Sequence, residues 1–481
     1  MVSKKHIMFC ANSAWNIVNF RLPLMRYLAD LGYRVSAAAP PNGYEEACRE
    51  VGFDFFPFQM SRKGTNPLTD LRTCFSLKKI FRRERPDLVC NFTVKPDIYG
   101  TIAAAACRIP AVNNISGLGT VFITHSFVTG LVKKLYRYSQ KRAAKVFFQN
   151  VDDLSQFLEH GLVPEEKTGI LPGSGIDLER FAPADPDGYS GSNVQSTCTF
   201  LLIGRMLGDK GVREYVEAAR IITAERRDGQ FMLLGPLDHH NRTAIGPNEL
   251  EEWSISGVVR YLGAAEDVRS HIAAADCVVL PSYREGTPRT LLEAAAMGKP
   301  IVATDVPGCR QVVDEAVTGY LCRPYSADSL AGAIRKILNL RPRERYDMGI
   351  RGRKKMEREY DQRLVFEAYG KVIGEILGIG CSGAIEAGDT AAREAAGPPE
   401  AGEAGEAGDT AAFEAAGPPE APETRAPEGT RKNGASGTAE LPEDSKTPEA
   451  GDQAARDAKG HADGTAAVEL PEDSKPLEAG E

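Results

Sequence analysis

Short apolar runs alternate with amphipathic stretches along the first part of the chain. The apolar runs between residues 6 and 150 are HIMFCAN, RVSAAAP, DLVCNFT and AKVFFQN, and a helix is predicted near Leu22 to Leu31. Near-continuous apolar strands that alternate with helices are typical of a parallel sheet covered on both faces. The pattern therefore predicts an α/β domain.

The same pattern begins again in the second part of the chain. A stretch rich in Pro, Asp, Gly and Ser covers residues 182–196, and the apolar runs TCTFLLIGR, FMLLG, VVRYLG, CVVLPS and PIVAT follow it. This restart predicts two doubly wound domains, 1–178 and 179–378. The helices after Ser326 either complete the second domain or cross back onto the first.

The remaining segment, 379–481, has a different composition. From Cys381 onward it holds 23 acidic and 8 basic residues among Ala, Gly, Pro and Glu, and two of its motifs recur. Internal repeats can indicate a solenoid, but these repeats carry almost no apolar face to stack. A segment that buries so little apolar surface does not offset its ordering entropy, so we expect a disordered tail.

Charge and cysteine content narrow the functional classes. Residues 1–380 contain 43 acidic and 50 basic side chains, and this mildly basic balance suits phosphate-bearing ligands or an anionic membrane face as well as ordinary solvated surface. The ten cysteines are scattered singly, which favours reduced thiols over a structural metal site. No apolar stretch approaches the ~18 residues of a spanning helix, so we expect a cytoplasmic protein without a signal peptide.

Two glutamates stand eight residues apart in YREGTPRTLLEAAAMG, residues 283–298. Thr287 is a predicted N-cap and Pro288 a predicted first helical residue. Glu285 is then in a loop, and Glu293 is on a helix. The preceding strand, CVVLPS, brings this loop to the carboxyl edge of the sheet, where open parallel sheets bind ligands.

The chemistry of this loop favours a ligand with phosphates between two hydroxyl-rich ends. Free backbone amides from Gly286 through Arg289 to Thr290, at a helix N-terminus, favour a phosphate. A carboxylate repels a phosphate, so Glu285 and Glu293 are expected to accept hydrogen bonds from hydroxyls. A nucleotide sugar has this arrangement.

The stretch SYREGTPRTLLEAAAMGKPIVATDVPG resembles the E-x7-E signature of the family 4 glycosyltransferases. The resemblance implies the GT-B fold, with two Rossmann-like domains facing across a cleft, and retention of anomeric configuration. It also implies that Glu285 contacts the donor sugar and Glu293 the ribose. LLIGRMLGDKG resembles the family segment whose Arg and Lys, here Arg205 and Lys210, neutralise the donor diphosphate.

The first domain, by the same resemblance, binds the acceptor. The loop CANSAWNIVNFRLPL lacks the G-x-G-x-x-G of a dinucleotide-binding enzyme. Candidate acceptor-binding residues are Asn12, Asn16, Asn19, Arg21 and, before Pro96, Lys95. The first domain resembles bacterial enzymes that extend undecaprenyl-diphosphate-linked sugars, in this loop and in NFTVKPDIYG and NNISGLGTVFI. The resemblance implies a UDP-sugar donor and a lipid-linked saccharide acceptor. N-acetylgalactosamine is the preferred candidate for the transferred sugar. His125 is a candidate for the histidine near the donor sugar.

A lipid-linked acceptor implies a membrane-facing surface on the inner face of the membrane. The segment 125–145 mixes apolar and basic residues at helical spacing, as interfacial helices do. Packing on its own domain with a solvated basic face explains the pattern equally well. The residues concerned are Phe127, Val128, Leu131, Leu135 and Tyr138, with Lys133, Lys134, Arg137, Lys141 and Arg142.

We expect front-face substitution in a cleft that closes about residues 173–196, because no carboxylate is an obvious nucleophile. No Asp-x-Asp motif is present at a strand end, so neither a metal nor a cofactor is expected, and no feature predicts a nucleic-acid partner. Two alternatives remain open: a nucleotide-sugar epimerase on the same scaffold, and a non-catalytic adaptor that binds partners through its acidic tail.

Overall fold

The structure is a computed structural model that describes residues 4–61, 66–118, 127–184, 197–238 and 241–378. The predicted disorder of the tail and the predicted role of His125 lie outside these residues, as does half of the proposed hinge, residues 185–196. Both sheets described below belong to one compact unit of the chain.

Seven parallel strands of the described residues form the first sheet, in the order β3-β2-β1-β4-β5-β6-β7. Their bounds are β1 (His6–Cys10), β2 (Arg34–Ala39), β3 (Asp54–Pro57), β4 (Leu88–Phe92), β5 (Ala111–Ile115), β6 (Lys145–Phe148) and β7 (Thr168–Ile170). The strand order reverses beside β1, where β2 lies on one side and β4 on the other.

Six further parallel strands of the described residues form the second sheet, in the order β10-β9-β8-β11-β12-β13. They are β8 (Cys198–Ile203), β9 (Gly229–Leu234), β10 (Arg260–Tyr261), β11 (Cys277–Leu280), β12 (Ile301–Thr304) and β13 (Gly319–Cys322). Here too the order reverses at the first strand, β8, between β9 and β11.

Helices follow most strands and cover both faces of each sheet. They are α1 (Ala14–Phe20), α2 (Leu22–Asp30), α3 (Glu45–Glu50), α4 (Pro67–Glu84), α5 (Thr101–Ala106), α6 (Phe127–Gln140), α7 (Val151–Glu159), α8 (Val212–Glu225), α9 (Pro247–Ile255), α10 (Arg269–Ala274), α11 (Arg289–Ala296), α12 (Cys309–Val312), α13 (Ala327–Asn339), α14 (Pro342–Lys355) and α15 (Gln362–Leu377). The predicted α/β class with two doubly wound sheets is confirmed.

The hydrophobic pattern missed β5, whose sequence is AVNNI. Asn113 and Asn114 are fully buried in this central strand, because a side-chain network satisfies their amides. Asn91 of β4 donates to the Asn113 side chain at 2.9 Å, and Asn113 donates to the Gln140 side chain at 2.6 Å. A strand with buried, paired amides has no apolar signature in the sequence.

The last helix, α15, packs on the first sheet although it follows the helices of the second. Tyr369 is fully buried, and its ring lies 5.1 Å from that of Phe147 and 6.2 Å from that of Phe92. Its hydroxyl accepts a hydrogen bond from the Asn114 amide at 3.1 Å. The chain therefore returns to the first domain, and α15 ties the end of the described chain to its beginning.

Tyr369→Ala is expected to destabilise the protein by ~3–5 kcal/mol, because the substitution leaves a cavity where an aromatic ring is fully packed. Tyr369→Phe keeps the ring and loses one hydrogen bond, so it is expected to cost ~1 kcal/mol. Urea unfolding of both variants and the wild type gives these differences. Equal stability of all three proteins would contradict the packing of α15 described above.

Candidate active site

A cavity of about 220 Å³ lies between the carboxyl edges of the two sheets. Parallel strands place their following loops at this edge, so residues far apart in the sequence meet here. The side chains and turns that line it come from both domains: Asn16, Phe20, Arg21, Thr93, Ser116, Gln149, Ser174 and Gly175 on one side, and Ile203, Gly204, Lys210, Leu280, Glu285, Gly286, Thr287, Pro288, Arg289, Thr290 and Leu292 on the other.

The loop that carries Glu285 touches the first domain at Gly286. A Cβ atom on Gly286 would lie 1.9 Å from the carbonyl oxygen of Ser116, so only glycine fits at this position. The Asn150 amide donates a hydrogen bond to the Gly286 carbonyl oxygen at 2.9 Å. The first domain therefore helps to fix a loop of the second domain.

The prediction that Thr287 caps the following helix is wrong. Helix α11 begins at Arg289, and Pro288 occupies the N-cap position with φ −72° and ψ 112° and no side-chain cap. The Thr287 hydroxyl instead donates to the carbonyl oxygen of Gln149, in the first domain, at 2.9 Å. The Thr287 hydroxyl therefore forms a hydrogen bond between the domains instead of capping α11.

Lys210 and Glu285 form an ion pair at the cavity wall. The Lys210 side chain is 24% exposed and that of Glu285 is 13% exposed. Lys210 ends a short 3-10 turn, and Gly211 after it has φ +72°. A Cβ atom on Gly211 would lie 2.1 Å from the carbonyl oxygen of Pro281, which follows β11. This close backbone contact brings the lysine to the glutamate loop.

Arg289 and Glu293, one turn apart on α11, form a second ion pair at 2.9 Å. The Arg289 guanidinium also donates to the Asn19 carbonyl oxygen of the first domain and lies 5.2 Å from the centre of the Phe20 ring. Burial raises the pKa of Glu293, and the neighbouring Arg289 opposes that rise. Arg289 therefore joins the predicted ribose-binding carboxylate to the first domain.

Of the residues in these two ion pairs, Lys210, Glu285 and Arg289 line the cavity, whereas Glu293 is not among the lining residues. Each cation is held by a carboxylate, so the cations are not free for a phosphate and the carboxylates are not free for hydroxyls. An anionic ligand with hydroxyl groups at both ends can exchange both pairs at once. A simple anion would leave the two buried carboxylates without partners, which is unfavourable.

Arg205 lies at a second cavity of about 540 Å³ that adjoins the first. Its side chain is 54% exposed and forms an ion pair with Asp238 at 3.0 Å. Lys210 and Glu285 line both cavities, so the two are continuous around this pair. The second cavity is lined in addition by Ser116, Gly117, Leu118, Leu207, Asp209, Asn241, Ser282, Tyr283, Arg284, Gly286 and Tyr325.

Arg21 is a buried cation in the first-domain wall, and its side chain donates to the Ser174 hydroxyl at 3.2 Å. Its guanidinium lies 4.1 Å from the centre of the Phe92 ring. Burial lowers the pKa of Arg21 to about 10, so the group stays charged at neutral pH. Burial also raises the pKa of the nearby Asp97 well above its usual value, and the charge of Arg21 opposes that rise.

Three polar atoms in this wall are buried without a hydrogen-bond partner in the described part of the chain: Asn16 Oδ1, Arg21 Nε and Thr93 Oγ1. All three residues line the first cavity. Thr93 also has φ +76°, a conformation that a β-branched residue rarely adopts. Unsatisfied polar atoms and backbone strain cluster at binding sites, so a ligand is expected to complete these hydrogen bonds.

The other predicted first-domain residues do not line the described part of the cavity. Asn12 is half-buried and is not among the lining residues. The Asn19 side chain donates to a carbonyl oxygen of its own helix at 3.0 Å, although its backbone reaches Arg289. Lys95 is paired with the buried Asp70 at 2.6 Å. Asn16 and Arg21 are thus the two candidates that face the cavity.

Sequence patterns missed four polar residues of the cavity. Ser116 and Gln149 directly follow β5 and β6, and Thr93 directly follows β4, so their position after a strand was the available signal. Ser174 stands in the linker between the domains, where its contact with Arg21 depends on the tertiary fold.

The described residues contain neither a candidate metal site nor a candidate membrane span. No group of three or more His, Cys, Asp or Glu side chains there is arranged to hold a metal ion. None of the helices described above is both long and apolar enough to cross a bilayer.

Two family models match the chain, one for each domain. The family described as "Glycosyl transferase 4-like" matches residues 6–150, and "Glycosyl transferases group 1" matches residues 197–340. A curated relative from Campylobacter jejuni, N,N'-diacetylbacillosaminyl-diphospho-undecaprenol alpha-1,3-N-acetylgalactosaminyltransferase, is 28% identical over 77% of this chain and 98% of its own. UDP-Gal:alpha-D-GlcNAc-diphosphoundecaprenol alpha-1,3-galactosyltransferase of Escherichia coli is 25% identical over 56% of this chain and 71% of its own.

Solved structures share the fold. A sucrose-phosphate synthase from Thermosynechococcus elongatus superposes with a TM-score of 0.65 at 20% identity, covering 78% of this chain and 100% of its own. A glycosyltransferase from Rickettsia africae gives a TM-score of 0.63 at 18% identity over 78% of this chain and 99% of its own. The predicted GT-B fold is confirmed.

Gly286→Ala is expected to destabilise the protein by ~1–3 kcal/mol, because the new methyl group collides with the Ser116 carbonyl and forces the domains apart. Gly332→Ala is the matched control, since a Cβ atom there meets nothing within 4 Å and lies inside α13. The control is expected to raise stability by ~0.5–1 kcal/mol. Urea unfolding measures both, and a neutral Gly286→Ala would contradict the close contact.

Glu293→Gln is expected to change how stability depends on pH. A carboxyl whose pKa is raised by folding destabilises the folded state progressively as pH rises from its unfolded value of 4.5 through the folded value. The wild type should therefore lose stability relative to Glu293→Gln across this interval. Unfolding free energies of both proteins, measured from acidic to neutral pH, test this, and a constant difference would contradict it.

Proposed function

Because the chain belongs to the group 1 glycosyl transferases of family 4, we propose that it transfers a sugar from a UDP-sugar to a saccharide linked to undecaprenyl diphosphate. The transferred sugar is a hexose or N-acetylhexosamine, and N-acetylgalactosamine is preferred because the Campylobacter relative is named for it. Such transfer serves the assembly of a cell-surface glycan or glycoprotein oligosaccharide.

The observation that carries the proposal is the charge arrangement of the cleft. Lys210–Glu285 and Arg289–Glu293 are adjacent cation–carboxylate pairs on the two sides of a glycine-containing loop. A diphosphate flanked by a hexose and a ribose offers anionic oxygens to the cations and hydroxyls to the carboxylates. A nucleotide sugar therefore replaces every interaction that it breaks.

In this proposal Lys210 and Arg205 bind the donor diphosphate, and Glu285 accepts hydrogen bonds from the donor sugar. Glu293 accepts hydrogen bonds from the ribose, while the backbone from Gly286 to Thr290 faces the phosphates. Arg205 is exposed and has only to exchange Asp238 for a phosphate oxygen. Charge-assisted contacts of this kind contribute roughly 1.5–3 kcal/mol each.

The acceptor lies against the first domain. Arg21 supplies a buried guanidinium whose Nε lacks a partner within the described chain, and Asn16 and Thr93 supply further polar atoms of the same kind. This wall faces the donor loop across the first cavity. Donor sugar and acceptor hydroxyl would therefore meet where the two domains are closest.

The reaction we propose retains the anomeric configuration. The bond between the anomeric carbon and the diphosphate oxygen breaks while an acceptor hydroxyl forms its bond to the same face of that carbon. The hydroxyl proton passes to the leaving diphosphate. Fixed cations stabilise the charge that develops on the diphosphate, so rate comes from positioning and electrostatics rather than from a protein nucleophile.

We also propose that the reaction needs neither a metal nor another cofactor, since Lys210 and Arg205 supply the charge that a divalent ion would otherwise supply. The protein is expected to act at the inner face of the cytoplasmic membrane, because that is where a UDP-sugar meets a lipid-linked acceptor. Attachment through the basic helix 125–145 remains a prediction.

The direct test incubates the full chain with a panel of UDP-sugars and undecaprenyl-diphosphate-linked acceptors, followed by mass spectrometry. We expect one donor–acceptor pair to give a product heavier by one sugar, with equal yield in the presence of a chelator. Donor without acceptor is the control for epimerisation. No product with any pair would overturn the proposed function, and loss of product on chelation would overturn metal independence.

Variants of the Lys210–Glu285 pair connect the activity to the site. Lys210→Ala is expected to lower kcat/KM by about 10- to 150-fold, because it removes a charge-assisted contact with the leaving diphosphate. The exposed pair Lys336–Glu315 offers a matched control, and Lys336→Ala should leave activity unchanged. Steady-state kinetics with the identified donor measures both, and less than a threefold loss for Lys210→Ala would contradict its role.

A further inference from the structure

Helix α4 exposes three large apolar side chains on one face. Leu68 is 70% exposed, Leu71 is 52% exposed and Phe75 is 60% exposed. Their spacing of three and four residues puts them side by side on the helix. The opposite face is buried in the first domain through Leu77, Ile80 and Phe81 among other residues, so the exposed stripe cannot turn inwards.

The same face becomes basic towards the end of the helix. With about 100° of rotation per residue, Arg72, Lys79 and Arg82 point to the same side as Phe75. All three are exposed, and none has an ion pair within the described residues. We call Leu68, Leu71, Arg72, Phe75, Lys79 and Arg82 the α4 face.

No carboxylate of the helix opposes this charge. Asp70 is turned into the domain, where it is buried and paired with Lys95 at 2.6 Å. Glu84 is mostly buried and paired with Arg83 at 2.6 Å. An apolar stripe followed by unopposed cations matches the boundary between acyl chains and anionic headgroups.

The position of α4 places the apolar half of its face near the cleft. The helix follows β3 and leads into β4, so it begins at the carboxyl edge of the first sheet. The Asp70–Lys95 pair joins its first turn to the residues that follow β4, close to Thr93 of the cavity. A bilayer on this face would lie beside the acceptor wall.

Helix α6 lies in the predicted membrane segment 125–145, and among its described residues Leu131 and Tyr138 are exposed. Its Tyr136 is buried in the domain. The Arg137 guanidinium donates to the carbonyl oxygens of His160 and Gly161 at 2.7 and 3.0 Å. The Arg142 guanidinium covers the Tyr138 ring, 3.6 Å from its centre. Two of the five predicted basic residues, Arg137 and Arg142, are therefore held by contacts within the first domain, unlike the cations of the α4 face.

We propose that the α4 face docks the protein on an anionic lipid bilayer. The choice of a bilayer over a protein partner rests on the order of the side chains, with large apolar groups at one end and unopposed cations at the other. Docking in this orientation lets a saccharide on a membrane-embedded carrier enter the cleft while its chain stays in the bilayer. This last step rests on the proposed function, whereas bilayer docking itself does not.

The test is co-sedimentation of the full chain with vesicles of phosphatidylcholine alone or of equal parts phosphatidylcholine and phosphatidylglycerol. The triple variant Leu68→Ser, Leu71→Ser, Phe75→Ser is expected to bind the mixed vesicles at least about 10-fold more weakly. Lys79→Gln with Arg82→Gln should remove the preference for phosphatidylglycerol and the sensitivity to salt. Ile255→Ser is the control, because Ile255 is 79% exposed on the second domain.

Wild-type binding by the triple variant, or equal wild-type binding to both kinds of vesicle, would overturn the proposal. Analytical ultracentrifugation tests whether the α4 face binds a second copy of the chain instead. A dimeric wild type and a monomeric triple variant would assign the face to that contact. Circular dichroism and thermal unfolding confirm that the variants are folded.

A second readout separates this surface from the proposed reaction. The triple variant should keep transfer to a water-soluble, short-chain acceptor and lose at least about 10-fold with the same saccharide on a vesicle-embedded carrier. Equal loss with both acceptors would overturn a docking role. Absence of transfer by the wild type with either acceptor would refute the proposed reaction and leave the vesicle-binding result standing.

Discussion

The backbone contact between Gly286 and Ser116 is the constraint on which the arrangement of the cleft depends. Two further glycines close around it: Gly117, with φ +133°, and Gly308, whose Cβ atom would lie 2.4 Å from the Gly286 carbonyl oxygen. The domains thus meet through backbone atoms at this point, without intervening side chains. A contact of this kind tolerates little displacement, so it sets the position of Glu285 relative to the first-domain wall.

The sequence was sufficient for the architecture because parallel strands buried on both faces carry a strong apolar signal. Strands β8 and β11 were predicted from that signal alone, and the stretch 182–196 falls in the sequence between β7, in the first sheet, and β8, in the second. Strand β5 was missed because Asn113 and Asn114 are polar, and only their partners on neighbouring elements make them compatible with a core. When buried polar side chains are hydrogen-bonded to residues far away in the sequence, the sequence shows no hydrophobic periodicity that would predict the strand.

The site was predictable only in part, for a related reason. The family resemblance gave Lys210, Glu285 and Glu293 as candidates because each stands in a local motif, and Lys210 and Glu285 line the cavity. It could not show that Lys210 is held by Glu285, or that the Arg289 guanidinium is shared between Glu293 and the first domain. The α4 face shows the same limit, since the exposure of Leu68, Leu71 and Phe75 depends on packing that the composition of the chain does not give.

The internal ion pairs also bear on specificity. A ligand must exceed the free energy of the pairs that it breaks, and only a ligand that satisfies both members of a pair recovers that free energy. Inorganic diphosphate would satisfy Lys210 and leave Glu285 buried without a partner, whereas a free sugar would do the reverse. In the proposed function a nucleotide sugar satisfies both, and its ribose does the same for Glu293. If the proposed function holds, the pairs weaken binding of every partial ligand more than binding of the complete donor, and they make the site selective for an intact nucleotide sugar.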